Sequence, residues 1–220
     1  AASDVYKRQV ENGHPEHYQS IAEKLLQSTP NSFFANQFEN KSNPQVHFDT
    51  TGPEIWEQME GNIDAFVAGV GTGGTISGVG GFLKSKNPNV KVIVADPVGS
   101  VVADAVNTGK YKYEGGSWSV EGIGEDYIPA NLNLDIIDEG IYVSDKDAFN
   151  MIDQLLQKEG ILAGSSCGTL LNAAVKWCQN QTEPKNVVTL ICDTGNKYLS
   201  KAFNKDWVEK NINCLLYTSD

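Results

Sequence analysis

The 220-residue chain has one arginine, Arg8, among 17 basic residues, against 28 acidic ones. Its formal net charge is -11. Nucleic-acid binding draws on Lys and Arg to neutralise phosphates, so this balance argues against a nucleic-acid partner. It argues equally against an anionic membrane surface. An anionic ligand must then be held by local backbone dipoles or helix ends, not by the global field. No apolar run reaches the ~20 residues that span a bilayer. Ala1–Val10 lacks the apolar core of a signal peptide. The four cysteines, Cys167, Cys178, Cys192 and Cys214, form no CxxC pair. They read as free cytosolic thiols, with no metal site, in a cytoplasmic protein. Internal repeats and low-complexity linkers are absent too.

The two ends lack clear periodicity. Residues 1–9 and 212–220 resemble translated sequencing read-through, and both are expected to be non-native tails, with ordinary frayed termini as the alternative. The chain between them is expected to be an internal fragment of a longer protein.

What is present is an ordinary globular balance, 40% hydrophobic and 20% charged. Ile21, Leu25 and Leu26 share one face and predict a helix over 15–28. Residues 29–53 are polar, carry Pro30, Pro44 and Pro53, and read as loop. A short helix opens at 55–59. Apolar strands are predicted at 64–70, 91–96, 136–143, 161–163 and 186–192. Helices are predicted at about 75–86, 101–107, 145–158 and 166–179, with Ser144 as an N-cap, and a short helix ends near 203. Apolar strands alternating with helices indicate a mostly parallel, twisted sheet covered on both faces, a three-layer α/β fold. Ligands in such folds bind beyond the C-terminal strand ends.

Three turns fall at such ends. The first is Gly69-Val70-Gly71-Thr72-Gly73-Gly74-Thr75. Glycines let an anion approach the backbone, and successive N–H groups form a nest at a helix start. Thr72 and Thr75 add hydroxyls. The alternative is a tight turn that holds nothing. The ligand is open at this point: Gly69, Gly71 and Gly74 also satisfy GxGxxG, and Asp96 ends the next strand where a dinucleotide site keeps its ribose carboxylate. An NAD-dependent oxidoreductase is therefore a rival. No Walker lysine follows, which excludes a P-loop.

The second turn, Gly164-Ser165-Ser166-Cys167-Gly168, matches a nucleophile elbow. That fold needs a histidine after the serine, and His14, His17 and His47 all precede it. Cys167 at a helix start is a candidate nucleophile, with close packing of small residues as the alternative. The third turn is Cys192-Asp193-Thr194-Gly195, which offers either a site hydroxyl and carboxylate or a simple helix cap.

Five segments in order carry a resemblance: His47–Thr51, Gly71–Thr75, Glu121–Gly124, Glu159–Ser166 and Asp193–Lys201. Over roughly residues 15–211 the chain resembles the cystathionine β-synthase and cysteine synthase family. These are pyridoxal-phosphate enzymes of the tryptophan-synthase-β fold type, also called fold type II. The resemblance implies a large cofactor-binding domain at 46–211 and a remnant of a smaller domain with its junction at 10–45. It implies that Gly71, Thr72, Gly73, Gly74 and Thr75 hold the phosphate of pyridoxal 5′-phosphate. Thr194 stands where the family sets a hydroxyl against the pyridine nitrogen. Gly122 and Gly124 match the segment at the substrate mouth, where the lack of side chains leaves room.

The implied chemistry is β-replacement on serine or an activated serine, with a thiol or sulfide adding. The implied substrates are small amino acids and thiols, and the full-length protein is expected to be a homodimer. The segment Glu121–Pro129 and the closing Phe203–Trp207 look closer to cystathionine β-synthases than to O-acetylserine sulfhydrylases. Glu125 departs from synthases that carry an aromatic residue there. No lysine here has the setting of the family's Schiff-base lysine, so no catalytic residue is assigned within the chain. That lysine is expected upstream of residue 1, and the chain alone is expected to be inactive. A non-catalytic relative that binds the phosphate is the third possibility.

Overall fold

The computed structural model describes residues 14–112 and 116–213. The expected tail at 1–9 and residues 214–220 of the one expected at 212–220, Cys214 among them, lie outside the described residues, while Ile212 is buried in the core. The chain divides into two compact units, Ala1–Gln37 and Phe38–Asp220. In the first, α1 (Tyr18–Ser28) begins three residues later than the apolar pattern predicts and buries none of its residues. The hydroxyls of Ser28 and Ser32 donate to carbonyls at the end of this helix, which closes it.

The second unit is built on four parallel strands: β1 (Ala65–Ala68), β2 (Lys91–Pro97), β3 (Glu139–Val143) and β4 (Val187–Thr189). Their order is β3-β2-β1-β4. Every pairing is parallel, with Ala65 opposite both Lys91 and Val187. Side chains alternate across a strand, and here both sides are apolar. Ala65, Val67, Ile93 and Ala95 face α6 (Asp145–Glu159) and α7 (Ser165–Gln179) through Phe149, Leu170 and Trp177. Phe66, Ala68, Val92 and Val94 face α3 (Gly52–Gln58), α4 (Gly74–Lys86) and α5 (Val102–Thr108) through Ile55, Ile76, Leu83 and Val102. This is the expected three-layer α/β arrangement. The expected Ser144 cap is present, its oxygen accepting from Asp147 N–H at 3.1 Å.

Four local expectations need correction. Residues 42–53 are not loop: α2 (Ser42–Val46) and a π turn at His47–Thr51 run on into α3, which contains most of the short helix expected at 55–59. Pro44 falls in the first turn of α2, where a missing N–H is harmless, and Pro53 stands where the π turn passes into α3. The run is held by packing, because Gly78 of α4 lets it approach so closely that a Cβ there would lie 2.2 Å from the Pro44 carbonyl oxygen. The strand expected over 136–143 starts only at Glu139. Before it, the Asp138 carboxylate takes the Val92 N–H at 2.8 Å and pairs with Lys84 at 2.8 Å. At 161–163 there is no strand, only an isolated antiparallel bridge from Ala163 to Thr194. The last strand is Val187–Thr189 rather than 186–192, because β4 pairs with β1 alone and β1 ends at Ala68. Further on, a short 3-10 turn at Gly195–Tyr198 precedes α8 (Lys205–Val208).

No helix among the described residues is long and apolar enough to cross a membrane.

Candidate functional site

A parallel sheet puts all its strand ends at one edge, and the turns beyond β1 and β4 share that edge. Gly73 initiates α4 with φ at +80°, a left-handed value that glycine adopts without strain. The first-turn N–H groups of α4 have no acceptor within the helix. Around them stand two hydroxyls, each held from the 42–51 run. Asn43 Nδ2 donates to Thr72 Oγ1 at 3.0 Å, and Gly74 N–H approaches the same oxygen at 3.3 Å. Thr75 Oγ1 lies 3.2 Å from His47 Nε2, and His47 Nδ1 lies 3.0 Å from Thr51 Oγ1. Burial lowers the His47 pKa, which favours the neutral ring.

The other turns join this loop through their backbones. Gly124 N–H donates to the Val70 carbonyl at 2.8 Å. A Cβ on Gly71 would lie 2.8 Å from the Gly122 carbonyl oxygen. Glu121 N–H donates to Ser165 Oγ at 3.1 Å, which links this segment to the start of α7. Gly164 N–H then donates to Asp193 O, and Gly195 N–H to Leu162 O. A chain of contacts thus runs from the glycine loop through Glu121–Gly124 and Gly164–Ser165 to Asp193–Gly195. The two glycines of the second segment differ. Gly122 opens onto free space, whereas a Cβ on Gly124 would strike Trp118 and Pro97.

Thr194 is exposed, and its Oγ1 accepts from Asn196 N–H at 3.4 Å. It caps the 3-10 turn and keeps its proton for another acceptor. The neighbouring Asp193 is occupied: its Oδ2 accepts from the Tyr198 hydroxyl at 2.8 Å. Cys167 is fully buried, and Cys192 N–H donates to its sulfur at 3.2 Å. The contact with Cys192 holds the Cys167 thiol below its ordinary range. With no exposed surface it meets no substrate. The small residues beside it serve packing: a Cβ on Gly168 would lie 2.0 Å from the Ala148 carbonyl oxygen. Among the described residues no three His, Cys, Asp or Glu side chains are grouped to hold a metal ion.

Asp96 does not serve a ribose. It is fully buried, and its Oδ2 accepts from Ala103 N–H at 2.8 Å at the start of α5. Burial raises its pKa to about 6. The folded protein therefore keeps this proton between roughly pH 4 and 6, where the unfolded chain has lost it. Stability from Asp96 is full below that window and falls as pH rises through it. Asp96→Asn is expected to gain about 2–3 kcal/mol relative to the parent on going from pH 4 to pH 7.5. Urea unfolding at both pH values checks this, and an equal difference at the two would refute it.

Sequence reasoning missed Asn43, and gave His47 no role although it begins the first of the five resembling segments. They are four residues apart and share a helix face, a signal visible only once 42–51 is recognised as helical.

A family model described as pyridoxal-phosphate dependent enzyme matches residues 5–193. Cystathionine beta-synthase of Apis mellifera is 42% identical over 195 residues, covering 89% of this chain and 38% of that protein. The O-acetylserine dependent cystathionine beta-synthase of Bacillus subtilis is 41% identical over 171 residues, covering 78% of this chain and 53% of that protein. Cysteine synthase A of Escherichia coli K12 is 38% identical over 197 residues, covering 87% of this chain and 60% of that protein. The chain thus spans between 38 and 60% of the length of these relatives. The five ordered segments, the joined turns at one sheet edge and these matches agree: the chain belongs to the pyridoxal-phosphate-dependent enzymes, in the family that includes cystathionine β-synthase and cysteine synthase.

Proposed function

We propose that this chain is the phosphate-binding part of an enzyme that performs β-replacement on serine or an activated serine. The first reading is a cystathionine β-synthase, joining serine and homocysteine in transsulfuration. The observation that carries it is the name cystathionine beta-synthase on relatives as far apart as honeybee and yeast, at 42 and 37% identity over about nine-tenths of this chain. A cysteine synthase, taking O-acetylserine and sulfide, is the second reading. The 38% identity to Escherichia coli cysteine synthase A favours it.

The residues fit both polar ends of the cofactor. Gly71, Thr72, Gly73 and Thr75 offer N–H groups and two hydroxyls to the phosphate dianion at a helix start, with the Gly74 N–H turned to Thr72 Oγ1. The Thr194 hydroxyl, whose oxygen already accepts from Asn196, has its proton free for an unprotonated ring nitrogen. Bound pyridoxal phosphate supplies an electron sink for the charge left at the substrate Cα. Gly122 leaves open space at the mouth for an amino acid, and Gly124 holds that segment against Trp118. The lysine that anchors the cofactor's aldehyde is assigned upstream of residue 1, in keeping with a chain that spans 38% of its honeybee relative. The full-length protein is taken to be a cytoplasmic homodimer, with residues 10–45 a remnant of its smaller domain.

The deciding experiment is a product assay on the full-length protein with each donor and acceptor. Cystathionine from serine and homocysteine is the expected product, while the 220-residue chain alone gives none. Cysteine from O-acetylserine and sulfide as the sole product would select the second reading. Absence of bound cofactor from the full-length protein would sink both.

A further inference from the structure

We propose that Asn43 and His47 are positioning residues that fix the Thr72 and Thr75 hydroxyls as donors toward the cofactor phosphate. This rests on the phosphate assignment of Gly71–Thr75 made above.

A threonine hydroxyl has one proton and two acceptor sites. Thr72 Oγ1 receives Asn43 Nδ2 at 3.0 Å and Gly74 N–H at 3.3 Å. Both acceptor sites are filled, so its proton is left to donate. With an amide and a backbone N–H as its donors, the hydroxyl is left with a proton to give an anion. Thr75 is arranged in the same sense. Its oxygen lies 3.2 Å from His47 Nε2, and the second ring nitrogen lies 3.0 Å from Thr51 Oγ1. A neutral imidazole donates from one nitrogen and accepts at the other. With Thr51 donating to Nδ1, the Nε2–H donates to Thr75, whose proton is then free for the phosphate.

Both contacts come from one short stretch. Asn43 and His47 stand one helical turn apart, and α4 meets them with Gly74 and Gly78. A Cβ at Gly74 would lie 2.0 Å from Asn43 Oδ1, and one at Gly78 would lie 2.6 Å from His47 Cβ. The glycines of the loop and of the first turns of α4 thus admit the groups that orient the loop's hydroxyls. Hydroxyls oriented before the ligand arrives bind it without an ordering cost.

The test is a pair of double-mutant cycles on the cofactor-free full-length protein, read by calorimetric titration with pyridoxine 5′-phosphate. That compound has the phosphate and no aldehyde, so the upstream lysine does not enter. Asn43→Leu is expected to weaken binding about tenfold in the parent and less than twofold in a Thr72→Val background. His47→Leu is expected to behave alike against Thr75→Val. Thermal melting without ligand and titration with unphosphorylated pyridoxine report any purely structural effect. Equal losses in the parent and valine backgrounds, in both cycles, overturn the inference. The second cycle decides the matter if an Asn43 variant does not fold. Should the parent bind the phosphate ester no more tightly than pyridoxine, the loop assignment itself fails and the inference goes with it.

Discussion

Gly73→Ala is expected to cost about 2–5 kcal/mol of stability and to weaken phosphate-ester binding on the order of 100-fold. Two effects add. The first is backbone strain, since φ is +80° and a Cβ in the left-handed region costs ~1–2 kcal/mol. The second is overpacking, which adds ~1–3 kcal/mol. A Cβ here would lie 2.8 Å from the backbone N and Cα of Leu132. Backbone yields less readily than a side-chain tip. The Leu132 segment is also tied in place, because Asn133 N–H donates to Ser77 Oγ at 2.9 Å and Leu132 N–H to Pro129 O at 2.9 Å. Relief must therefore come from the glycine loop, which is the part proposed to present N–H groups to the phosphate. Gly109→Ala separates the two effects. Gly109 has φ at +68°, yet a Cβ there meets nothing within 4 Å. It should show the strain alone and leave the ligand unaffected. Urea unfolding and titration with pyridoxine 5′-phosphate give both quantities. A Gly73→Ala protein that matches Gly109→Ala in both would show that Leu132 does not confine the loop.

The glycine loop was legible because its signal is local. A run of glycines between an apolar strand and a helical pattern needs no distant partner to be recognised. Ser144 was legible for the same reason, since an N-cap and the N–H it binds lie within three residues. The run at 42–53 was not. Its polar side chains and two prolines read as loop, and only contact with the glycine face of α4, some 30 residues on, reveals a helix. Asn43 was lost with it, and His47 stood in the resemblance without a role. The last strand was drawn too long because Leu190, Ile191 and Cys192 are as apolar as Val187 and Val188. What ends the strand is the end of its partner at Ala68, which composition does not record. Ile161–Ala163 failed similarly: three apolar residues are consistent with a strand, but their polar groups pair with the Asp193–Gly195 turn instead. Asp96 shows the converse error. Its position near the end of β2 fits a ribose carboxylate by spacing, and its side chain points into the protein to cap α5.

Thr194→Asp is expected to lower kcat/KM for β-replacement by the full-length enzyme on the order of 100-fold while leaving the cofactor bound. In the proposed site the hydroxyl at this position donates to an unprotonated ring nitrogen and has no charge with which to hold a proton there. A carboxylate does the reverse, and a protonated ring is a stronger electron sink that suits other outcomes than loss of a β-substituent. The substitution is small, and the position is exposed, so folding should survive it. An aspartate also caps a turn as well as a threonine does, so the Asn196 N–H keeps an acceptor. The adjacent Asp193 cannot already play this part, because its carboxylate is engaged by the Tyr198 hydroxyl and closed in against Gly164. Thr194→Ser is the matching control and should retain nearly full activity. The visible spectrum of the bound cofactor supplies a readout apart from turnover, since protonation of the ring nitrogen alters it. If Thr194→Asp turns over like the parent with an unchanged spectrum, the hydroxyl of Thr194 does not face the ring nitrogen, and the turn at Asp193–Gly195 is a helix cap and nothing more.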